Sequence, residues 1–494
     1  MRKSLLACCL TILPLLPAPL SSQTYEGDLP PKREVRAAWL TSFAGLDWPK
    51  TAGTTAEVAE RQKAELIEIL DRLKEANFNT VLFQVRVRGN VLYRSRLETW
   101  SDVLVGEGGG EPAYDPLAFA VEECHRRGME CHAWLATIPI GPYNHSSATG
   151  KKSVVKQHPK ICVRYGNSIY LNPGHPETKE YLADLASEIV EAYDVDGIHL
   201  DYLRYPERSP KFPDAKEYRR YGQGRSREQW RCDNITAIVR LVYREVKARK
   251  PWVKVSTSPV GKYDDTTRYP SRGWNALHVV GQDVHAWLAE GIQDQIYPML
   301  YFNGNNFYPF ALDWQENACG RQVIAGLGVY FLDPREGNWK PEEVERQINF
   351  VRTYGLDGQA HYRVEFLMKN VQGLYDLVER KFYTAPALIP AMTWVDSIAP
   401  TAPTELRVTP LAEGYTRLSW RAATDEGPTD EVTYVVYGSR NETVDIGNPE
   451  CIIAMGIRGT EFVYAPSQPT ERCTAFAVTA VDRCGNESPA LTVE

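Results

Sequence analysis

The stretch Asp196-Gly197-Ile198-His199-Leu200-Asp201-Tyr202-Leu203-Arg204-Tyr205-Pro206 decides how this chain is read. A short apolar run closed by proline marks a buried strand that ends in a loop. Side chains alternate along a strand, so residues two apart share a face. Ile198 and Leu200 then point toward covering helices, while Gly197, His199 and Asp201 point the other way. In a barrel of parallel strands that direction is the axis, and reacting groups sit at the strands' C-terminal ends. Asp201 occupies that end. An inward carboxylate needs water, a partner or a substrate, because burying it alone is costly. The competing explanation is an ion pair with Arg204 or Arg86.

The pattern extends outward in both directions. Strand-like runs at Val35–Leu40, Thr80–Arg86, Met129–Ala136, Gly197–Asp201, Val253–Ser258, Asp294–Tyr301, Val323–Tyr330 and Gly358–Tyr362 alternate with helix-like stretches. From Ala56 to Ala76, the residues Ala59, Leu66, Ile69, Leu70 and Leu73 recur at helical spacing. Leu117 to Arg127 is helical and Gly128 stops it, and another helix follows Pro176. Eight such units over residues 33–385 predict an α/β fold, a closed (β/α)8 TIM barrel with long loops. An open doubly wound sheet is the alternative. No Gly-x-Gly-x-x-Gly turn follows the first strand, so no dinucleotide, and no other cofactor, is expected.

Prolines at 386, 390, 400 and 403 mark a stiff linker over 386–402. Beyond it, Leu406–Val408, Thr416–Trp420, Thr433–Tyr437, Glu461–Tyr464 and Cys473–Val481 alternate as short strands. Residues 403–494 are therefore expected to form an immunoglobulin-like β-sandwich. At the other end, Arg2 and Lys3 precede an apolar run from Leu5 to Leu16 and small residues at Ser21 and Ser22. This reads as a signal peptide over 1–22, and the protein as exported to the periplasm or beyond. A lipid anchor at Cys8 is the weaker alternative, since almost no apolar run precedes that cysteine. No later stretch is long enough to span a bilayer. The eight remaining cysteines show no metal-type spacing; export permits disulfides whose pairing the spacing does not give, and buried free thiols are the simpler reading.

Composition narrows the partners. The net charge of −7 argues against nucleic acid or an anionic membrane surface. With 27 Tyr and 12 Trp, the chain has the flat rings that stack on sugars. Alternation along the other strands brings Arg86 and Asn90, His132 and Trp134, Ser258, and Tyr301 toward the same mouth as His199, Arg204 and Tyr205. Rings to stack on, with Arg, His and Asn to hold hydroxyls, describe a polysaccharide or oligosaccharide subsite. His132 reads equally well as a core histidine, and Tyr297 and Met299 as barrel filling. No metal is expected, because His132 and His199 have no third ligand at recognisable spacing. The oligomeric state is not legible.

The fourth strand superficially resembles the chitinase signature Asp-Gly-x-Asp-x-Asp-x-Glu, but Leu203 stands where the proton-donating glutamate belongs. A closer resemblance runs through Arg36-Ala-Ala-Trp39, Asp47-Trp48-Pro49, Phe83-Gln84-Val85-Arg86, His132-Ala-Trp134, Leu171-Asn172-Pro173-Gly174, the fourth strand, Trp230-Arg231, Ser258-Pro259-Val260-Gly261 and Pro298-Met299-Leu-Tyr301. In this order they resemble the glycosyl-hydrolase-like 10 family. The C-terminal segment, especially Ala475 to Pro489, resembles a fibronectin type III domain lacking its usual strand-entry tyrosine. The first resemblance implies a (β/α)8 fold, export, and hydrolysis of glycosidic bonds in cell-envelope glycan such as peptide-free peptidoglycan. It also adds Asn172 to the expected sugar contacts. Val87, Asn90 and Thr137-Ile138 depart from the family pattern along the expected cleft. A glycosidase needs two carboxyl groups. Analogy with retaining barrel enzymes makes Asp201 the nucleophile. Asp283 is the first choice for the second carboxyl, ahead of Glu365, Asp264 and Asp265, although an N-cap would also explain it. The alternatives are a glycan-binding barrel without turnover, or a hydrolase of plant or host polysaccharide.

Overall fold

Eight parallel strands close on themselves in chain order: β1 (Val35–Leu40), β2 (Thr80–Val87), β3 (Glu130–Ala136), β4 (Gly197–Asp201), β5 (Lys254–Thr257), β6 (Gln295–Ile296, resumed at Met299–Leu300), β7 (Gln322–Leu327) and β8 (Gly358–His361). The pairing of β1 with both β2 and β8 completes the ring. The computed structural model describes residues 29–492 apart from 108, 146–149, 151–152, 208–210, 271–272 and 467–471. The expected signal segment at 1–22, with Cys8, lies outside the described residues. No described helix is long and apolar enough to cross a membrane.

Helices α1 (Ala56–Glu75), α2 (Pro116–Arg126), α3 (Pro176–Ala192), α4 (Arg227–Arg249), α5 (Val284–Glu290), α6 (Tyr308–Glu316) and α7 (Pro341–Thr353) fill the crossovers. Their starts are written locally. Thr55, Asp115 and Ser226 accept amide hydrogens in the first turns of α1, α2 and α4, and proline opens α2, α3 and α7. Two layers result. Ile198 and Leu200 pack outward with helix residues such as Leu185, Ile189 and Ile235, while Val35, Ala37, Trp39, Trp134, Tyr297 and Ile324 fill the axis. Alternation in β4 is as expected. Gly197 faces inward, where a Cβ would lie 2.6 Å from the His132 ring, so only glycine fits.

Two strand boundaries and one loop differ from expectation. The sixth strand breaks at Tyr297-Pro298, because proline offers no amide to the ladder. The seventh gives way to a 3-10 turn at Val329–Leu332. The loop after β3 carries its own antiparallel sheet of Pro139–Pro142, Cys162–Tyr165 and Ser168–Leu171.

The C-terminal residues form two antiparallel sheets. One contains β9 (Thr404–Pro410), β10 (Thr416–Arg421) and β13 (Glu461–Tyr464); the other contains β11 (Val432–Ser439), β12 (Ile452–Ile457), β14 (Ala475–Asp482) and β15 (Leu491–Thr492). Leu418, Trp420 and Tyr464 of the first share a core with Tyr434, Val436, Phe476 and Val478 of the second. This unit sits against the barrel's N-terminal end. Arg483 and Arg458 reach Asp194 at 2.8 and 2.9 Å, and Lys32 reaches Glu487 at 2.6 Å. Gly128 adopts a left-handed φ of 67° after α2, and a Cβ there would lie 2.7 Å from the Met455 carbonyl oxygen. The proline-rich segment is tied down along its length. Gln322 donates to the Pro390 carbonyl at 2.9 Å, Trp394 to Asp294 at 2.9 Å, and the Met392 amide to the Cys484 carbonyl at 2.7 Å.

Candidate active site

Asp201 is the last residue of β4, and three donors hold its carboxylate. Oδ2 accepts from Trp134 Nε1 at 3.0 Å, and Oδ1 accepts from Ser258 Oγ at 2.8 Å and the Tyr202 amide at 2.7 Å. The Tyr202 amide reaches it because the chain turns there through a left-handed φ of 51°. Thr137 clamps the backbone, its amide and hydroxyl both donating to the Asp201 carbonyl at 2.9 Å. Burial pushes the Asp201 carboxyl above its ordinary range, while Ser258, the Arg204 charge, the Tyr202 amide and Trp134 pull it back. Two of the three donors, the indole and the amide, have no acceptor capacity, so the site complements the anion. No ion pair to Asp201 occurs among the described residues. Arg86 is paired elsewhere, and the Arg204 guanidinium lies over the rings of Tyr202 at 4.9 Å and Trp274 at 5.1 Å.

Below the carboxylate, His199 is a wholly buried axial residue. Its Nε2 accepts from Trp39 Nε1 at 3.2 Å, which leaves the proton on Nδ1, facing Ser256 Oγ at 2.9 Å. Burial, with the His132 charge second, holds His199 well below the usual histidine range, so it stays neutral. Above lies an aromatic wall. Tyr301 stacks on Tyr362 at 5.3 Å, and Trp39 meets the edges of both. Tyr330 closes against the same pair. Tyr202 and Trp274 remain 45% and 38% exposed beneath the Arg204 guanidinium that lies over both rings.

The residues expected from the sequence divide into three groups. Asp201, Trp134, Ser258, Arg204 and Tyr301 gather at this mouth. Arg86, His132, His199 and Tyr205 do not present themselves to a ligand. Arg86 forms a wholly buried two-point pair with Glu98 at 2.6 and 2.8 Å and also donates to the carbonyls of Ala136 and Thr137. His132 is buried at the lower end of β3, bonded to Glu130 at 3.0 Å. Tyr205 is a core residue beneath the Arg231 guanidinium, its hydroxyl accepting from Asn234 at 3.3 Å. Asn90 and Asn172 stand apart. Both are buried, and Asn90 Oδ1 and Asn172 Nδ2 have no partner among the described residues, although Asn172 Oδ1 accepts the Gly174 amide at 3.1 Å.

The carboxyls expected as the second group are each engaged with other partners or lie on an exposed loop. Asp283 caps α5 through the Ala286 amide and accepts from Tyr263 at 2.8 Å. Glu365 is paired with Arg363 and Lys369. Asp264 meets His278 at 3.1 Å, and the exposed Asp265 follows it on the same loop. Two other carboxylates act on the mouth. Asp47 accepts the Thr41 amide at 2.9 Å, pairs with Arg363, and its charge reaches the Tyr362 phenol together with that of Asp201. Glu207, exposed on the loop after β4, bears with Asp201 on the Tyr202 phenol. Sequence alternation overlooked Tyr202, Tyr362, Trp274 and Glu207, all of which lie beyond strand ends where the two-residue period stops.

The family model described as Glycosyl hydrolase-like 10 matches residues 34–328. A Bacillus subtilis (strain 168) protein named Glycosyl hydrolase YngK is 30% identical over 484 residues, covering 93% of this chain and 92% of that relative. Escherichia coli (strain K12) Glycosyl hydrolase DigH is 33% identical over 288 residues, covering 54% of this chain and 65% of that relative.

Proposed function

Since this chain belongs to the glycosyl hydrolase-like 10 family, we propose that it hydrolyses O-glycosidic bonds in a polysaccharide, with Asp201 as the reacting carboxylate. The observation that carries this reading is the carboxylate itself. It is held at the barrel mouth by Trp134, Ser258 and the Tyr202 amide, without an ion pair among the described residues, beside the aromatic wall of Tyr301 and Tyr362. Oδ2, which accepts a single hydrogen bond from Trp134, would supply the lone pair that attacks an anomeric carbon. In the proposed first step the Asp201–sugar bond forms, the glycosidic C–O bond breaks, and an acid protonates the departing oxygen. Water then releases the sugar. Glu207 is our choice for the acid, because it is exposed on the loop that follows Asp201, whereas Asp283 serves as a helix cap.

The domain reading follows: a signal peptide at 1–22, a catalytic barrel at 33–385, a linker at 386–402 and a fibronectin type III-like sandwich at 403–494 that positions the barrel. Export to the cell envelope and peptide-free peptidoglycan strands as substrate form part of the same proposal. Substrate comparison tests it. Purified protein is incubated with peptide-free glycan strands, intact cross-linked peptidoglycan and plant or host polysaccharides, and new reducing ends are counted. Release from the peptide-free strands alone supports the full reading, and release from another polymer redirects the substrate. Retention of glycan without any new ends identifies a binding barrel instead.

A further inference from the structure

Three carboxylates with no part in the barrel mouth meet where the proline-rich segment joins the small unit. Asp396 comes from that segment, Asp425 from the loop between β10 and β11, and Asp482 from the end of β14. One oxygen of each lies within 4.8 Å of the others. Asp482 is only 6% exposed, and its oxygens take the Cys484 and Asn486 amides and Asn486 Nδ2, each at 2.8 Å. The other two carboxylates are left open in a more telling way. Both oxygens of Asp425 and Oδ2 of Asp396 are shut off from solvent without a hydrogen-bond partner of good geometry among the described residues. The Glu426 and Gly427 amides lie close to Asp425 and lower its carboxyl, but burial and the Asp396 charge raise it further. Gly427 walls the group, since a Cβ there would collide with Asp396 Oδ2 and lie 2.9 Å from Asp425 Oδ2.

Three converging carboxylates, with three shielded oxygens left unpartnered and no Lys, Arg or His paired to them among the described residues, suit a cation. We propose that Asp396, Asp425 and Asp482 bind a calcium ion that fastens the proline-rich segment to the C-terminal unit. The donor set is all oxygen, which selects a hard cation over zinc or copper. Calcium accepts irregular sets of carboxylate oxygens, whereas magnesium demands a near-ideal octahedron and usually keeps several waters, so three protein carboxylates converging from separate segments suit calcium better. The consequence is mechanical. Asp396 already accepts Asn486 Nδ2 at its carbonyl at 3.0 Å, and Trp394, two residues earlier, is bonded to Asp294 under the barrel. An ion at the triad therefore sets the angle at which the small unit meets the barrel.

The test uses the full chain stripped with EDTA, titrated with calcium chloride by calorimetry and unfolded thermally with calcium, with magnesium and with EDTA. One calcium per chain is expected, with a rise of several degrees in melting temperature at saturating calcium and little change with equal magnesium. Asp425→Asn should lose both the binding and the shift. In EDTA it should melt no lower than the parent, because it removes repulsion. If that variant fails to fold, Asp396→Asn serves in its place. The proposal is overturned if the parent binds no calcium at millimolar concentration, if magnesium alone binds, or if the shift survives in the variants. Such a failure leaves the glycosidase reading untouched, since that site lies at the opposite end of the barrel.

Discussion

The Trp134 indole, from the third barrel strand, donates to Asp201 Oδ2, on the fourth, at 3.0 Å. Neighbouring strands thus hold the carboxylate from both sides, because Ser258 follows the fifth strand and donates to Oδ1. The carboxylate is fixed in direction by the barrel itself, whose strand order no side-chain change will disturb. Its protonation is set by the balance of burial against these donors.

Removing one donor should shift that balance. Trp134→Phe keeps the ring and deletes the N–H, so the anion is less favoured and the Asp201 carboxyl rises further. The acid limb of the kcat–pH profile should move to higher pH, with kcat reduced about tenfold at its plateau, the scale of one hydrogen bond to a charged group. A profile superposable on that of the parent would remove Trp134 from the machinery.

Arg86 and Arg204 should behave in opposite ways, although both appeared equally suited to sugars. Arg86→Ala leaves Glu98 buried and unpaired, and should cost about 3–5 kcal/mol in urea unfolding. Arg204→Ala removes a partly buried guanidinium lying over Tyr202 and Trp274, with no ion pair among the described residues. Stability should change by under about 1 kcal/mol while KM rises roughly tenfold. Reversal of this pattern would place the substrate at Arg86.

Asp357 gives a pH prediction away from the site. Burial pushes its carboxyl up to about 6, only partly offset by the Val323 amide that it accepts at 2.9 Å. A raised acid binds its proton more readily when folded. Between pH 4 and 6 the folded state therefore holds the extra proton, and stability falls as pH rises through that window. Asp357→Asn should raise the melting temperature at pH 7.5 by a few degrees, on the order of 1–2 kcal/mol, and leave it unchanged at pH 4. Equal shifts at both pH values would contradict the assignment.

Docking of the C-terminal unit should depend on Arg483, which meets Asp194 at 2.8 Å and stands near Asp196 at 3.9 Å. Arg483→Ala should speed proteolytic cleavage within 386–402 severalfold, because opening the interface exposes a segment now bonded to both units. Unaltered cleavage would mean that the proline-rich segment is held by its own contacts.

Much of this architecture was legible in the sequence because a parallel barrel writes itself as repeated runs. Ile198 and Leu200 face out, His199 and Asp201 face in, and the two-residue period says so directly. That period gives direction but not height or partnership. His132 and His199 both point to the axis, yet one lies at the lower end and the other in the middle, each already bonded. Arg86 finds Glu98 twelve residues later, across a loop whose course no periodicity describes. Tyr202 was invisible for a different reason: its left-handed backbone breaks the alternation at the residue after the strand. In the small unit, Ile452–Ile457 escaped notice because Gly456, at a φ of 72°, interrupts an otherwise strand-like run.

If the Asp201 carboxylate breaks the glycosidic bond, Asp201→Asn abolishes turnover. The variant keeps the size of the side chain and removes its charge. New reducing ends from peptide-free glycan strands are compared with the parent under equal folding, verified by melting temperature. Loss of turnover by about a thousandfold or more, with glycan still bound, is the expected result. Turnover at the parental rate by the folded variant would show that the bond is broken by some other group.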